Sequence, residues 1–215
     1  MSKFHKIGVS TRIVSSSENS EKRDAISHDW PPFLDKFDAI PILIPNTLSN
    51  VKLFLTENSL DAIILSGGDN IGEYPERDKT EQSILEYGIE KNIPIFGVCR
   101  GMQLINNFFE GSIIQNTNKK HVATTHSITI VHKRFSLLLN SESIMVNSYH
   151  DNTITNNILG HSLTPFAVSE IDNTIEGFFH DELPILGVMW HPERQDNHND
   201  ELIFKKFFSE KSFWK

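Results

Sequence analysis

The sequence predicts an α/β fold in which a mostly parallel sheet is covered by helices on both faces, and three observations carry that prediction. Strand-length apolar runs alternate with helix-length amphipathic stretches over roughly the first half of the 215 residues. The apolar runs lack the in-out alternation of a strand that faces water, as expected of strands buried on both sides. Two of them stop at glycine-containing turns, at Gly67-Gly68 and at Cys99-Arg100-Gly101, where ligands gather in such a sheet.

Residues 7–14 form the expected first strand, and residues 39–44 the second, ending at Pro45. Between them Trp30-Pro31-Pro32-Phe33-Leu34 opens a short helix, because proline is tolerated in a first helical turn. Residues 49–57 form a second helix with Val51, Leu53, Phe54 and Leu55 on its apolar side. A strand over residues 61–65 then stops at Ser66-Gly67-Gly68. Asp78, three residues before Glu81, reads as the capping-box start of a helix running to about Glu90, and residues 93–98 follow as a buried strand.

After Phe109 the pattern changes. Residues 127–131, 143–146, 164–168 and 175–179 are short β-rich segments with polar connections, expected to form a small, partly antiparallel region on the same domain. Residues 185–190 resume a buried strand, and residues 202–208 lie in a closing helix packed on the sheet. With no repeat, linker or low-complexity block, residues 1–215 read as a single domain.

Charge and composition narrow the function. Lys and Arg number 20 against 28 Asp and Glu, a net charge of -8, so neither nucleic acid nor an anionic membrane surface is an expected partner, although a local patch for phosphates remains compatible. No apolar run approaches the roughly 20 residues that span a bilayer. Cys99 is the only cysteine and cannot form an internal disulfide, and the start of the chain lacks an apolar leader; a cytoplasmic protein is expected.

The sharpest chemical signal is Phe96-Gly97-Val98-Cys99-Arg100-Gly101-Met102-Gln103, where a buried strand runs through Gly-x-Cys-x-Gly into a helical stretch. This is a nucleophile elbow with cysteine in place of serine. The glycines permit a tight turn, and the positive end of the following helix favours a thiolate. An intracellular cysteine is more often an inert core thiol; the glycines on both sides of Cys99 argue for the reactive alternative. The second signal is Met189-Trp190-His191-Pro192-Glu193. Residues two apart on an extended chain project to one side, and Pro192 pushes His191 toward extended geometry. A carboxylate beside an imidazole fixes its tautomer and supports its protonated form, which suits the acid and base a thiol nucleophile requires. The third is the glycine pair in Leu65-Ser66-Gly67-Gly68-Asp69-Asn70: a plain turn, or a bare backbone whose Gly68 amide joins the Arg100 amide as an oxyanion hole.

Together FGVCRGMQLIN, SGGDN and MWHPE resemble the class I, or triad, glutamine amidotransferase-like superfamily across nearly the whole chain, and the resemblance implies its flavodoxin-like fold. Arg100, Arg77-Asp78 with Glu81, and Asn147-Ser148-Tyr149-His150 are similar to the free-standing γ-glutamyl hydrolase branch. On that likeness Cys99, His191 and Glu193 form the catalytic triad, Gly68 and Arg100 supply oxyanion amides, and Gln103, Ser148 and Tyr149 bind the glutamyl end. His126 and His150 stand near the substrate mouth, or are polar structural histidines on loops. Two departures stand out: Ile71-Gly72-Glu73-Tyr74 replaces a cluster with proline, histidine and tyrosine in many relatives, and Glu110-Gly111 replaces a glycine pair.

The implied reaction is hydrolysis of a small-molecule γ-glutamyl amide through a glutamyl thioester, with no cofactor. No His-Glu-x-x-His or paired Cys-x-x-Cys spacing suggests a metal. The branch most resembled hydrolyses γ-glutamyl-cytidine-diphosphoramidate in bacterial capsule assembly, releasing the nucleotide phosphoramidate and glutamate. Cations available for its diphosphate include Arg12, Arg77 and Arg100, each with a simpler alternative role in capping, ion pairing or structure, and His28-Asp29-Trp30 either contacts the leaving group or is ordinary helix entry. The competing functions are a glutaminase subunit that passes ammonia to a separate synthetase and a noncatalytic binding domain that kept the fold.

Overall fold

A nine-stranded sheet organises the computed structural model, which describes residues 5–16, 21–115 and 121–215. Residues 1–4, which open the segment read above for a leader, lie outside the described residues. In chain order the elements are β1 (His5–Ser10), β2 (Arg12–Ser15), β3 (Lys22–Ala25), α1 (Trp30–Asp35), β4 (Ala39–Ile44), α2 (Val51–Asn58), β5 (Ala62–Leu65), α3 (Pro75–Lys91), β6 (Ile95–Val98), α4 (Arg100–Phe108) and β7 (Ile114–Gln115). They continue as β8 (Thr124–Ile130), α5 (Lys133–Leu139), β9 (Ser143–Ser148), β10 (Asn152–Thr153), β11 (Leu163–Ser169), β12 (Ile175–His180), β13 (Ile185–Val188) and α6 (His198–Glu210).

The sheet order is β4-β1-β5-β6-β13-β12-β11-β8-β9. The first five strands pair in parallel, in the flavodoxin-like order that places ligands beyond the carboxyl ends. The last four pair antiparallel, so the antiparallel region continues the same sheet. Fully buried β5, β6 and β13 lie side by side, and their ends deliver Ser66, Cys99 and the segment leading to His191 to one edge. No helix among the described residues is long and apolar enough to cross a membrane.

Apolar residues fill both faces of the sheet. On one, Trp30, Phe33, Phe96, Phe204 and Phe207 form one cluster, with Phe204 4.9 Å from Phe33 and 5.3 Å from Phe96 in edge-on contacts. On the other, Leu55, Ile84, Leu85, Met102, Ile105 and Phe178 form a second. Each such side chain stabilises the fold by about 1.5–3 kcal/mol through burial.

The structure corrects several element boundaries. The first expected strand breaks at Thr11: the Asn46 amide donates to the Thr11 carbonyl and Asp69 accepts from the Ile13 amide, so β2 leaves the sheet and pairs with β3. Helix α3 begins at Pro75 rather than Asp78, with Tyr74 before it. The Asp78 carboxylate accepts from the Gly72 amide and from Arg100 and makes no capping contact. On α2, Val51 and Leu55 are buried but Leu53 faces solvent. Helix α5, unanticipated above, buries Phe135 and Leu139, one turn apart.

Candidate active site

Cys99 joins the end of β6 to the start of α4 with φ 51° and ψ −104°. This positive-φ backbone lies outside the allowed wells and is adopted by a non-glycine residue only when its surroundings impose it. Its amide donates to the Val188 carbonyl at 2.8 Å, and its carbonyl accepts from the Gln103 amide at 3.1 Å. The flanking glycines are steric necessities. A Cβ on Gly101 would lie 2.0 Å from the Leu65 carbonyl oxygen, and one on Gly97 would lie 2.8 Å from the backbone of Gly101 and Met102.

His191 follows β13 in extended backbone and enters a single 3₁₀ turn over Pro192–Arg194. Its Nδ1 lies 2.7 Å from Glu193 Oε1, so the carboxylate faces one ring nitrogen and leaves Nε2 for the Cys99 side. A Cβ on Gly67 would meet His191 Cε1 at 2.7 Å and Cys99 Cβ at 3.5 Å, so the imidazole and the Cys99 side chain both crowd the space that a side chain at Gly67 would fill. Asn147, near the end of β9, clamps the His191 backbone: its amide donates to the His191 carbonyl at 2.7 Å, and its oxygen accepts from the His191 amide at 2.9 Å.

Burial alone would raise the Cys99 thiol's pKa, but the His191 hydrogen bond and charge, the His150 charge and the Arg100 amide outweigh it, leaving the thiol below its ordinary value. Burial lowers His191, yet Cys99 and Glu193 raise it to about 9. The two shifts favour the same state, thiolate beside imidazolium.

A second set of charges lies beside the elbow. Arg77, fully buried, donates Nε to Glu81 at 3.0 Å, Nη1 to Asp69 at 2.9 Å, and Nη2 to the Ser66 and Gly67 carbonyls at 3.0 Å each. Arg100 pairs with Glu81 and Asp78; burial and the Arg77 charge pull its pKa down to about 9. For two of the three arginines considered for a diphosphate, the ion-pairing alternative therefore holds: Arg77 and Arg100 are spent inside the protein. Both guanidinium groups hold the loops around Cys99, which leaves the Arg100 backbone amide as its contact with the thiol.

Arg12 is exposed at the mouth of a narrow slot that also touches Gly67, Gly68, His191, Glu193 and Arg194. Gly68 has φ 120°, and the space beside its Cα is closed by Arg77 and Arg12. Tyr149, 44 % exposed, meets the His191 ring edge-on at 5.8 Å and carries the Arg194 guanidinium 4.3 Å above its own ring. Gln103 is buried, and its side-chain oxygen accepts from Asn152 at 3.2 Å. Ser148 is fully buried, with its hydroxyl donating to the His121 carbonyl at 2.6 Å. His150 is buried, with Nδ1 2.9 Å from the Asn152 carbonyl.

Of the residues considered for the leaving group, Trp30 belongs mainly to the core while touching the slot, and His28 is exposed and does not line it. His126 is buried beside Glu176 rather than set at the mouth. Sequence reasoning missed Asn147 as the His191 clamp, and it missed Arg194, His121 and Glu176. Only Arg194, one residue beyond Glu193, carried a local signal. Glu110, at the departure from the glycine pair that the resemblance implies, has φ 66°, a conformation that glycine adopts without strain.

The family model described as peptidase C26 matches residues 6–193. The chain is 30% identical over 210 residues to the γ-glutamyl-CDP-amidate hydrolase of Campylobacter jejuni, covering 94% of this chain and 97% of that protein. It is 29% identical over 150 residues to the glutamine-hydrolysing GMP synthase of Ehrlichia ruminantium, covering 68% of this chain but 28% of that protein. Among solved structures, a candidate GMP synthase subunit from Thermoplasma acidophilum superposes with a TM-score of 0.72 at 24% identity, covering 97% of this chain and 94% of that one.

Proposed function

The chain belongs to the peptidase C26 family, and on that premise we propose that this class I glutamine amidotransferase-like amide hydrolase cleaves a γ-glutamyl amide with Cys99 as nucleophile, His191 as acid and base, and Glu193 as the partner that orients the imidazole. The observation that carries the proposal is the alignment of Cys99, His191 and Glu193 at the carboxyl edge of the sheet. His191 Nδ1 is fixed on Glu193 at 2.7 Å, and the shifts of Cys99 and His191 favour the ion pair.

The Cys99 thiolate attacks the γ-carbonyl carbon and forms a C–S bond while the carbonyl electron pair moves to oxygen. The Arg100 and Gly68 amides receive that charge. Collapse breaks the C–N bond, and the departing nitrogen takes the proton held on His191 Nε2. A γ-glutamyl thioester remains on Cys99. Neutral His191 then takes a proton from water, the hydroxyl adds to the thioester, the C–S bond breaks, and glutamate leaves with the ion pair restored. Gln103, Ser148, Tyr149 and His150 are the residues assigned to the glutamyl end, and no cofactor enters the cycle.

The substrate proposed is γ-glutamyl-CDP-amidate, giving cytidine diphosphoramidate and glutamate for capsular phosphoramidate synthesis. The Campylobacter jejuni relative supports it, as do Arg12 and Arg194, two exposed cations at the slot able to meet a diphosphate. Glutamate release from γ-glutamyl-CDP-amidate, uncharged γ-glutamyl alkylamides and glutamine tests the proposal. Rapid turnover of the first by the purified chain, abolished in Cys99→Ala, is expected; equal activity in the variant would overturn it.

The GMP synthase resemblance favours a second reading, a glutaminase subunit serving a synthetase. That alternative requires slow glutamine hydrolysis by the isolated chain and acceleration by a partner. A noncatalytic binding domain, the remaining alternative, requires that a glutamine-like diazo-ketone leave Cys99 unmodified.

A further inference from the structure

We propose that His121, His150 and Glu176 form a divalent-metal site suited to zinc, buried beside the reacting cysteine and assembled from segments far apart in the chain. His121 precedes β8, His150 follows β9, and Glu176 lies on β12. All three are buried, and their ligand atoms lie within 4.8 Å of one another.

The separations are long for hydrogen bonds and close to those between two ligands of one ion. His150 Nε2 stands 3.5 Å from Glu176 Oε1, and His126 Nε2 stands 3.6 Å from the same oxygen. Both exceed the roughly 2.7–3.2 Å of an N–H···O bond. Two ligands each about 2.0–2.1 Å from a shared tetrahedral zinc lie roughly 3.4 Å apart. Neither Glu176 oxygen has a hydrogen-bond partner among the described residues, nor do His150 Nε2 and His121 Nδ1. A buried carboxylate left in that state is costly, and a cation between these atoms would satisfy all of them.

The outer atoms of the two rings are already engaged. His150 Nδ1 lies 2.9 Å from the Asn152 carbonyl, which can only accept, so Nδ1 carries a hydrogen, and loss of the second ring proton leaves the Nε2 lone pair directed toward Glu176. His121 Nε2 lies 2.9 Å from the Asp172 carboxylate, which leaves Nδ1 buried and without a hydrogen-bond partner. Carbonyls and carboxylates behind the rings are the arrangement that orients metal-binding histidines. Two imidazoles and one carboxylate suit zinc, with a fourth position open; magnesium and calcium take six or more ligands, chiefly oxygen. The ion would hold His150, whose charge otherwise acts on the Cys99 thiol.

Metal binding requires no turnover, so its test fails or succeeds independently of the proposed hydrolase activity. The chelator-treated full chain is titrated with Zn²⁺ by calorimetry and with Co²⁺ by visible absorption. One equivalent is expected, with the intense visible bands of tetrahedral cobalt. His121→Ala should lose at least about 100-fold in affinity, and Asp172→Asn, which keeps every ligand, roughly 10–100-fold with an unchanged circular dichroism spectrum. Cys99→Ser should bind as the wild type does. Absence of binding would overturn the proposal, as would undiminished binding by a folded Asp172→Asn, or binding lost in Cys99→Ser but kept in His121→Ala.

Discussion

Two buried polar clusters flank Cys99, and they are built on opposite rules. In the arginine cluster nearly every group has a partner: Glu81 accepts from Arg77 and Ser10 on one oxygen and from Arg100 on the other, and Asp69 joins Arg77 to the Ile13 amide. In the histidine cluster, Glu176, His126, His150 and His121 together leave six side-chain atoms without a hydrogen bond. A satisfied network of charges fixes loop positions, because removing any member strands another. An unsatisfied one retains capacity to bind something. The difference separates arginines that hold the elbow from histidines proposed to hold a cation beside it.

The sharpest break is at the residue between them. Cys99→Ala should abolish glutamate release while leaving the circular dichroism spectrum intact, and His191→Asn should lower kcat by roughly 10³–10⁴-fold. Substantial activity in either variant would remove the chemistry from this edge of the sheet.

Glu81→Ala tests the satisfied side. It leaves Arg77 and Arg100 buried without their shared carboxylate, and urea unfolding should report a loss of about 3–5 kcal/mol. A loss below about 1 kcal/mol would show that the network is not a scaffold.

The unsatisfied side should appear in acid. Burial raises the Glu176 pKa, but His126 and His150 outweigh it and bring the group from 4.5 to about 2. A carboxylate depressed in the folded state contributes stability above its unfolded value, and that contribution fades as pH falls from about 4.5 toward 2. Metal-free wild type should show this loss in urea titrations across that window, and Glu176→Gln should lack it. Parallel curves for the two proteins would contradict the assigned charge state.

The smallest effect concerns the leaving group. Arg12→Ala and Arg194→Ala should each raise KM for γ-glutamyl-CDP-amidate roughly tenfold, the scale of one charged hydrogen bond, with little change for an uncharged γ-glutamyl amide. Equal changes for both substrates would place these arginines in the architecture rather than in specificity.

The parallel half of the fold was legible because β5 and β6 are apolar at every position and end at turns whose glycines cannot be replaced. The break at Thr11 was not, since the groups that impose it, Asn46 and Asp69, are 35 and 56 residues from their partners. Helix α5 escaped because two buried residues over seven make a weak periodic signal. At the site, the elbow and the His191-Pro192-Glu193 turn are local in sequence, and so was their geometry. Asn147 reaches His191 across 44 residues, and Glu176 meets His150 only through the pairing of β12, β11, β8 and β9. Such contacts carry no spacing that a single sequence displays.

Cys99 stands or falls as the nucleophile on whether His191 lowers its pKa and favours the thiolate. The pH dependence of Cys99 alkylation by iodoacetamide, read by mass spectrometry in wild type and His191→Asn, tests it most directly. The wild-type rate should reach its plateau below the ordinary thiol pKa of about 8.5, and the variant's should move back toward it. A wild-type profile centred at the ordinary value and unchanged by the substitution would contradict the account.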